Sequence, residues 1–202
     1  MSERLPRLRR HQPAPGMVLL ALPMLTDPNF ARSVIYLLEA DPEAGSAGVV
    51  VNSPTRTPVG QVLPAWHDAV SAPGVVFRGG PVQPDGALCL ATVTAPAAEA
   101  PAGSIRLVRQ RTAAARIGLV DLDADVGDIR AAVGDLRVFA GHAGWSAGQL
   151  EAEIAEGAWW VVPGWIEDVF GADQTRLWSR VWQRQPFPLR LLASYPDDPT
   201  LN

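Results

Sequence analysis

The residues that most resemble a chemical device lie in Gly141-His142-Ala143-Gly144-Trp145-Ser146-Ala147-Gly148-Gln149-Leu150-Glu151, which contains G-x-S-x-G ahead of a helix-forming run. An α/β-hydrolase uses that spacing to lift a serine nucleophile out of a strand-to-helix turn, with its acid and then its histidine further along the chain. Here the order fails, because His11, His67 and His142 are the three histidines and all precede Ser146. The segment also has a structural reading. Ser146 and Gln149 form S-x-x-Q, a capping box in which the hydroxyl accepts from the amide three residues on and the glutamine side chain reaches back. A cap occupies the oxygen that a nucleophile needs. The sequence therefore predicts a helix starting at Ser146 and no catalytic residue, with a hydrolase using Ser146 or His142 as the enzymatic alternative.

Composition removes other chemistries. All 17 basic residues are arginine, so no lysine Schiff base, P-loop lysine or Ser-Lys dyad is available. Cys89 is the one cysteine and lies in the apolar run Ala87-Leu88-Cys89-Leu90-Ala91, where a small core residue is expected rather than a thiolate. The scattered histidines and the isolated cysteine give no spacing that sets two ligands on one face, so neither metal nor cofactor is expected.

The better candidates are for binding. Arg32, in Asp27-Pro28-Asn29-Phe30-Ala31-Arg32-Ser33, enters a strongly apolar strand, and a charge there needs a partner such as Asp27. In Arg78-Gly79-Gly80-Pro81 a cation stands beside glycines able to take positive φ and turn backbone amides toward an anion. Convergence of Arg32, Asn52, Arg78 and Gly80 with Trp145 would make a cleft for a small anionic or nucleotide-like ligand. Asp27, Gly79, His142 and Gln149 complete this candidate set.

Positioning these residues requires strands first. Met17 to Leu22, Ser33 to Leu38 and Val49 to Asn52 read as buried strands, the last two forming a hairpin across the turn residues of 39–48. Further strands are expected at Val75 to Arg78, Ala87 to Val93, Arg116 to Leu122, Leu136 to Ala140 and Trp159 to Val162. Helices are expected over Val59 to Leu63, over Asp125 to Val133 with Gly134 as its stop, from Ser146 to Gly157 with Glu151, Glu153 and Glu156 facing water, and over Asp173 to Gln185 capped by Asp173. Strands and helices do not alternate, so the pattern predicts one α+β domain with a mixed, mainly antiparallel sheet rather than a doubly wound one. Thr94 to Gly103, rich in Ala and Pro, reads as a loop.

Several ordered blocks carry a family resemblance. Gly16-x-x-Leu19-Leu20-Ala21, Met24-x-x-Asp27-Pro28-x-Phe30-x-Arg32-Ser33-Val34-Ile35-Tyr36-Leu37, Gly48-Val49-Val50-Val51-Asn52-x-Pro54, Gly79-Gly80-Pro81-Val82 and Gly144-Trp145-x-x-Gly148-Gln149-Leu150-Glu151-x-Glu153 together resemble the YqgE/AlgH family of bacterial cytoplasmic proteins. The resemblance spans residues 16 to 195 and implies a barrel-like, largely antiparallel α+β domain without an assigned activity. Some members carry the label of transcriptional regulator. Where that family often has histidines, this chain has Ala40 and Leu90; where it commonly has tyrosine, this chain has His142, and Ser146 stands at a position usually held by another small residue.

Nucleic acid is not an expected partner for a chain of net charge -4 and pI near 5.3. The exception to weigh is Arg176, Arg180 and Arg184, which repeat every four residues beside Trp178 and Trp182. Trp159, Trp160 and Trp165 lie close enough that one of them is expected at a surface. No apolar run reaches the roughly 20 residues of a membrane span, and the Arg-rich start lacks the apolar stretch of a signal peptide. The expectation is an N-terminal arm over 1–15, a domain over 16–195 and a tail over 196–202. It is that of a cytoplasmic, non-catalytic module binding a small anionic ligand or a protein.

Overall fold

Three apolar runs, Met17–Ala21, Val34–Asp41 and Gly45–Val50, form strands β1, β2 and β3, and each is buried on both faces over most of its length. The computed structural model describes residues 11–94, 101–108 and 116–196. Residues 95–100 of the expected loop, and most of the two terminal segments, lie outside them. Strand β4 is Pro54–Pro58, β5 Val75–Arg78, β6 Val82–Val93, β7 Ile105–Leu107, β8 Arg116–Val120, β9 Val133–Trp145 and β10 Trp159–Pro163. They join one ten-stranded sheet in the order β10-β1-β2-β3-β9-β6-β8-β7, with β4 on β5 and β5 parallel to β9. The other pairings are antiparallel. The architecture is the expected α+β one, a curled, barrel-like sheet.

Burial on both faces of β1, β2 and β10 follows from cores on either side. Val18, Leu20, Tyr36 and Trp160 enter one cluster with helix α5 (Leu177–Gln183), while Leu19, Ile35 and Trp159 enter another beneath helix α3 (Gln149–Glu156). Trp159 and Trp160 therefore point to opposite faces and are both buried. The exposed indole is Trp165, on which the Arg184 guanidinium lies 4.0 Å from the ring centroid. Cys89 belongs to a third cluster between β6, β8 and β9, where burial pushes its thiol well above the ordinary range. No helix among the described residues is long and apolar enough to cross a membrane.

Two helices are shorter than the sequence suggests. Helix α2 is Val126–Arg130, capped by Asp125 through the Gly127 amide at 2.8 Å. Val133 and Gly134 belong instead to β9, where Val133 pairs with Val93. Ladder pairing outweighs the helical spacing of three apolar residues. Likewise α5 begins at Leu177, because Asp173 turns its carboxylate to the Thr175 hydroxyl and to Arg180 rather than capping the helix. Helix α4 (Ile166–Phe170) had no sequence counterpart. Two ion contacts hold it. Arg184 grips the buried Asp168 with both carboxylate oxygens at 2.7 Å, and Arg137, within β9, donates to carbonyls at the far end.

Candidate functional site

The G-x-S-x-G segment crosses from β9 to α3, and its serine does not cap. Gly148, with φ 71, takes the N-cap position and the helix begins at Gln149. A left-handed residue costs glycine little, so the chain closes the turn through backbone, Gln149 N donating to the Ser146 carbonyl at 3.0 Å. Half of the expected exchange survives, since the Gln149 side-chain oxygen accepts from Ser146 N at 3.0 Å. The Ser146 side chain is exposed and has no hydrogen-bond partner among the described residues. Replacing Ser146 by alanine is expected to change the unfolding free energy by under about 0.5 kcal/mol. Chemical denaturation checks this, a loss above 1 kcal/mol contradicting it.

What the segment builds is a latch. Glu153, expected on the wet face, accepts from the Trp145 and Trp159 indoles on one oxygen, at 2.9 and 2.7 Å, and from the Gln149 amide on the other, at 2.9 Å. Phe30 closes the cluster, stacked on Trp145 at 6.4 Å and edge-on to Trp159 at 5.7 Å. Trp145 and Gln149 are thus engaged in fixing α3 to the sheet. The buried indoles explain the carboxylate, because each leaves an N–H that needs an acceptor.

Three of the candidate residues do meet. Asn52, Arg78 and Gly80 line a cleft of about 140 Å³ with Asn29, Ser33 and Ser53. Each is placed by backbone logic. The Asn52 side chain extends the β2–β3 ladder, accepting from Val34 N at 2.8 Å and donating to the Arg32 carbonyl at 2.9 Å. Arg78 ends β5, tied by its amide to Ser53. Gly80, with φ 153, crosses His142 so closely that a Cβ would stand 2.2 Å from backbone carbon. The glycines of Gly79-Gly80 serve this backbone crossing, and of the two Gly80 alone has positive φ.

Arg32 faces away from the cleft, although its backbone borders it. Held at φ 54, it sends its guanidinium to the Tyr195 and Pro196 carbonyls and over the Trp178 ring at 4.5 Å. The expected Asp27 carboxylate accepts from the Asn29 amide at 2.8 Å instead. Carbonyl oxygens and an indole face are among the groups that meet this guanidinium.

Two groups give the cleft its polarity. Ser33 is 4% exposed, and its hydroxyl is buried without a hydrogen-bond partner among the described residues. The exposed Arg78 guanidinium has neither ion pair nor hydrogen bond among the described residues. Ser33 was not among the expected site residues, and only its place between a charged loop and an apolar strand hinted at it.

His142 belongs elsewhere. With Leu38, Ala47, Leu88 and Leu119 it lines a separate cavity of about 200 Å³ whose rim carries the Arg106–Glu39 pair at 2.7 Å. Of the arginine stripe, Arg184 is bound to Asp168 and Arg180 to Asp173, while the Arg176 side chain has no ion pair among the described residues. No metal-binding group of His, Cys, Asp and Glu is found among the described residues.

Fold and site together define a class: an α+β domain on a curled antiparallel sheet, with a small polar cleft formed where β2, β3 and β5 end. The AlgH-like family model matches residues 18–190, and the chain belongs to that family. A UPF0301 protein of Thermobifida fusca is 46% identical over 189 residues, covering 93% of this chain and 94% of its own. One from Streptomyces coelicolor is 49% identical over the same shares. A crystal structure of a Corynebacterium diphtheriae protein superposes with a TM-score of 0.83 at 34% identity, covering 93% of this chain and 95% of that one. The solution structure of AlgH from Pseudomonas aeruginosa gives 0.58 at 27% identity, over 98% and 100%.

Proposed function

We propose that this chain is a cytoplasmic, non-catalytic binding module whose small anionic ligand occupies the cleft between residues 28–33 and Arg78. The reading is carried by one observation: among the described residues, a buried Ser33 hydroxyl without an acceptor stands on the wall of a cleft whose arginine has no counter-ion. An orphaned buried donor costs about 1–3 kcal/mol, and an incoming anion removes that cost while pairing the guanidinium. The 140 Å³ volume accommodates a guest no larger than about a benzene ring, which argues against the nucleotide-like ligand. No nucleophile with an adjacent base adjoins the cleft, which is why binding rather than turnover is the favoured reading.

The test is thermal unfolding against a panel of small anions at constant ionic strength. At ten times its dissociation constant a bound anion stabilises by about 1.4 kcal/mol, a rise of about 3–6 °C for a chain of this size. Arg78→Ala is expected to abolish the rise and Ser146→Ala to leave it. Stabilisation that survives Arg78→Ala would move the site elsewhere.

A further inference from the structure

We infer that the ligand of this cleft is a compact monocarboxylate, with one carboxylate head and a body of a few carbon atoms. The inference rests on the anion-binding reading and narrows it by charge, size and surface. Arg78 is the one cation on the cleft wall, and a planar guanidinium meets a planar carboxylate through two parallel hydrogen bonds. A phosphate carries between one and two negative charges at neutral pH, more than a single guanidinium neutralises. The volume of about 140 Å³ fits about six non-hydrogen atoms, on the scale of a cavity that holds benzene. The surface is divided: Pro28, Ala31 and Val50 bring carbon to the same cleft as Ser33 and Arg78. An ion with oxygen on every side would lose water against that carbon without replacement, whereas an alkyl or keto-alkyl body packs on it. Ser33 supplies a third donor to the head through a change of χ1 rotamer, a small step for serine.

The Asn52 side chain keeps the geometry ready. Its two bonds to Arg32 and Val34 hold the wall that carries Ser33, so the cleft exists before the ligand arrives. Ligands this small bind with dissociation constants of about a millimolar.

The experiment is an NMR titration of the full chain that follows the Ser33 and Asn52 amides and the Arg78 Nε–H, with acetate, propionate, pyruvate, hexanoate, inorganic phosphate and adenosine monophosphate. The expected result is saturable shifts with the two- and three-carbon acids and at least about tenfold weaker response to hexanoate, phosphate and the nucleotide. Arg78→Ala is expected to weaken carboxylate binding at least about tenfold and Ser33→Ala by a few fold. Saturation by phosphate or the nucleotide with no response to carboxylates would overturn the carboxylate assignment and leave the anion cleft standing. No response of these signals to any anion would overturn both. Carboxylate shifts unchanged in Arg78→Ala would overturn the assigned contact.

Discussion

Arg137→Met is expected to lower the unfolding free energy by about 3–5 kcal/mol, since it strands several carbonyls at about 1–3 kcal/mol each, the largest loss of any single substitution proposed for this chain. Arg137 is 2% exposed in the middle of β9, and its carbon stem runs among apolar neighbours. Its guanidinium donates to the Val169 carbonyl at 2.5 Å, the Ala72 carbonyl at 2.6 Å and the Gly171 carbonyl at 3.2 Å, and lies 4.4 Å over the Phe77 ring. Val169 and Gly171 close α4, where carbonyls have no helical donors and the helix dipole favours a cation. Desolvation lowers the Arg137 pKa to about 10, so the group remains charged at neutral pH and is held by dipoles in place of water. Methionine fills most of the volume but leaves those carbonyls bare. Arg137→Lys recovers only part of the loss, because one ammonium cannot reach three oxygens divided between the end of α4 and the loop before β5. Urea unfolding monitored by circular dichroism gives the number; a loss under 1 kcal/mol would show that water replaces the guanidinium without cost.

Glu153→Leu is expected to cost about 2–4 kcal/mol, since it strands two buried indole N–H groups and frees the Gln149 amide. Trp145 and Trp159 pack 6.0 Å apart in an edge-to-face pair, so their packing persists while their hydrogen bonds are lost. Tryptophan emission in the native state is expected to change and α3 to exchange its amides faster. Glu153→Gln, which keeps an acceptor, is expected to lose about half as much. Equal losses for the two variants would mean that charge, not hydrogen bonding, holds the latch.

These two residues show where sequence reasoning reached and where it stopped. Apolar runs with β-branched residues located β1, β2, β5, β8 and β10 closely, because burial on both faces leaves a signal in consecutive residues. Helix starts were less legible. Ser146 matched the capping pattern, yet Gly148 could adopt the left-handed conformation and moved the start to Gln149. Glu153 sat at a position that alternation assigns to solvent, and only the fold brings Trp159 and Trp145 over it. Arg137 was visible as a lone charge in Leu136-Arg137-Val138-Phe139, but the carbonyls that receive it lie more than thirty residues away, before it and after it in the chain.

The site was legible in part for a physical reason. Asn52, Arg78 and Gly80 stand at strand ends, where turn residues and a charge interrupt apolar runs. The Asn52 bond to Val34 and the backbone bonds from Val50 N to Gly79 and from Arg78 N to Ser53 bring these ends together. Arg32 and Trp145 are equally prominent in sequence, but side-chain direction is set by φ and by pleat, and both turn away from the cleft. Ser33 was hidden because an orphaned hydroxyl can be recognised only once its neighbours are in place.

The central claim is that the cleft beside Ser33 and Arg78, not the Ser146 segment, receives the ligand. A crystal soaked in a short monocarboxylate tests it most directly. Planar density bridging the Arg78 guanidinium and the Ser33 hydroxyl is expected, absent from Arg78→Ala crystals soaked alike. Density beside Ser146 or His142 with the cleft unoccupied would contradict it.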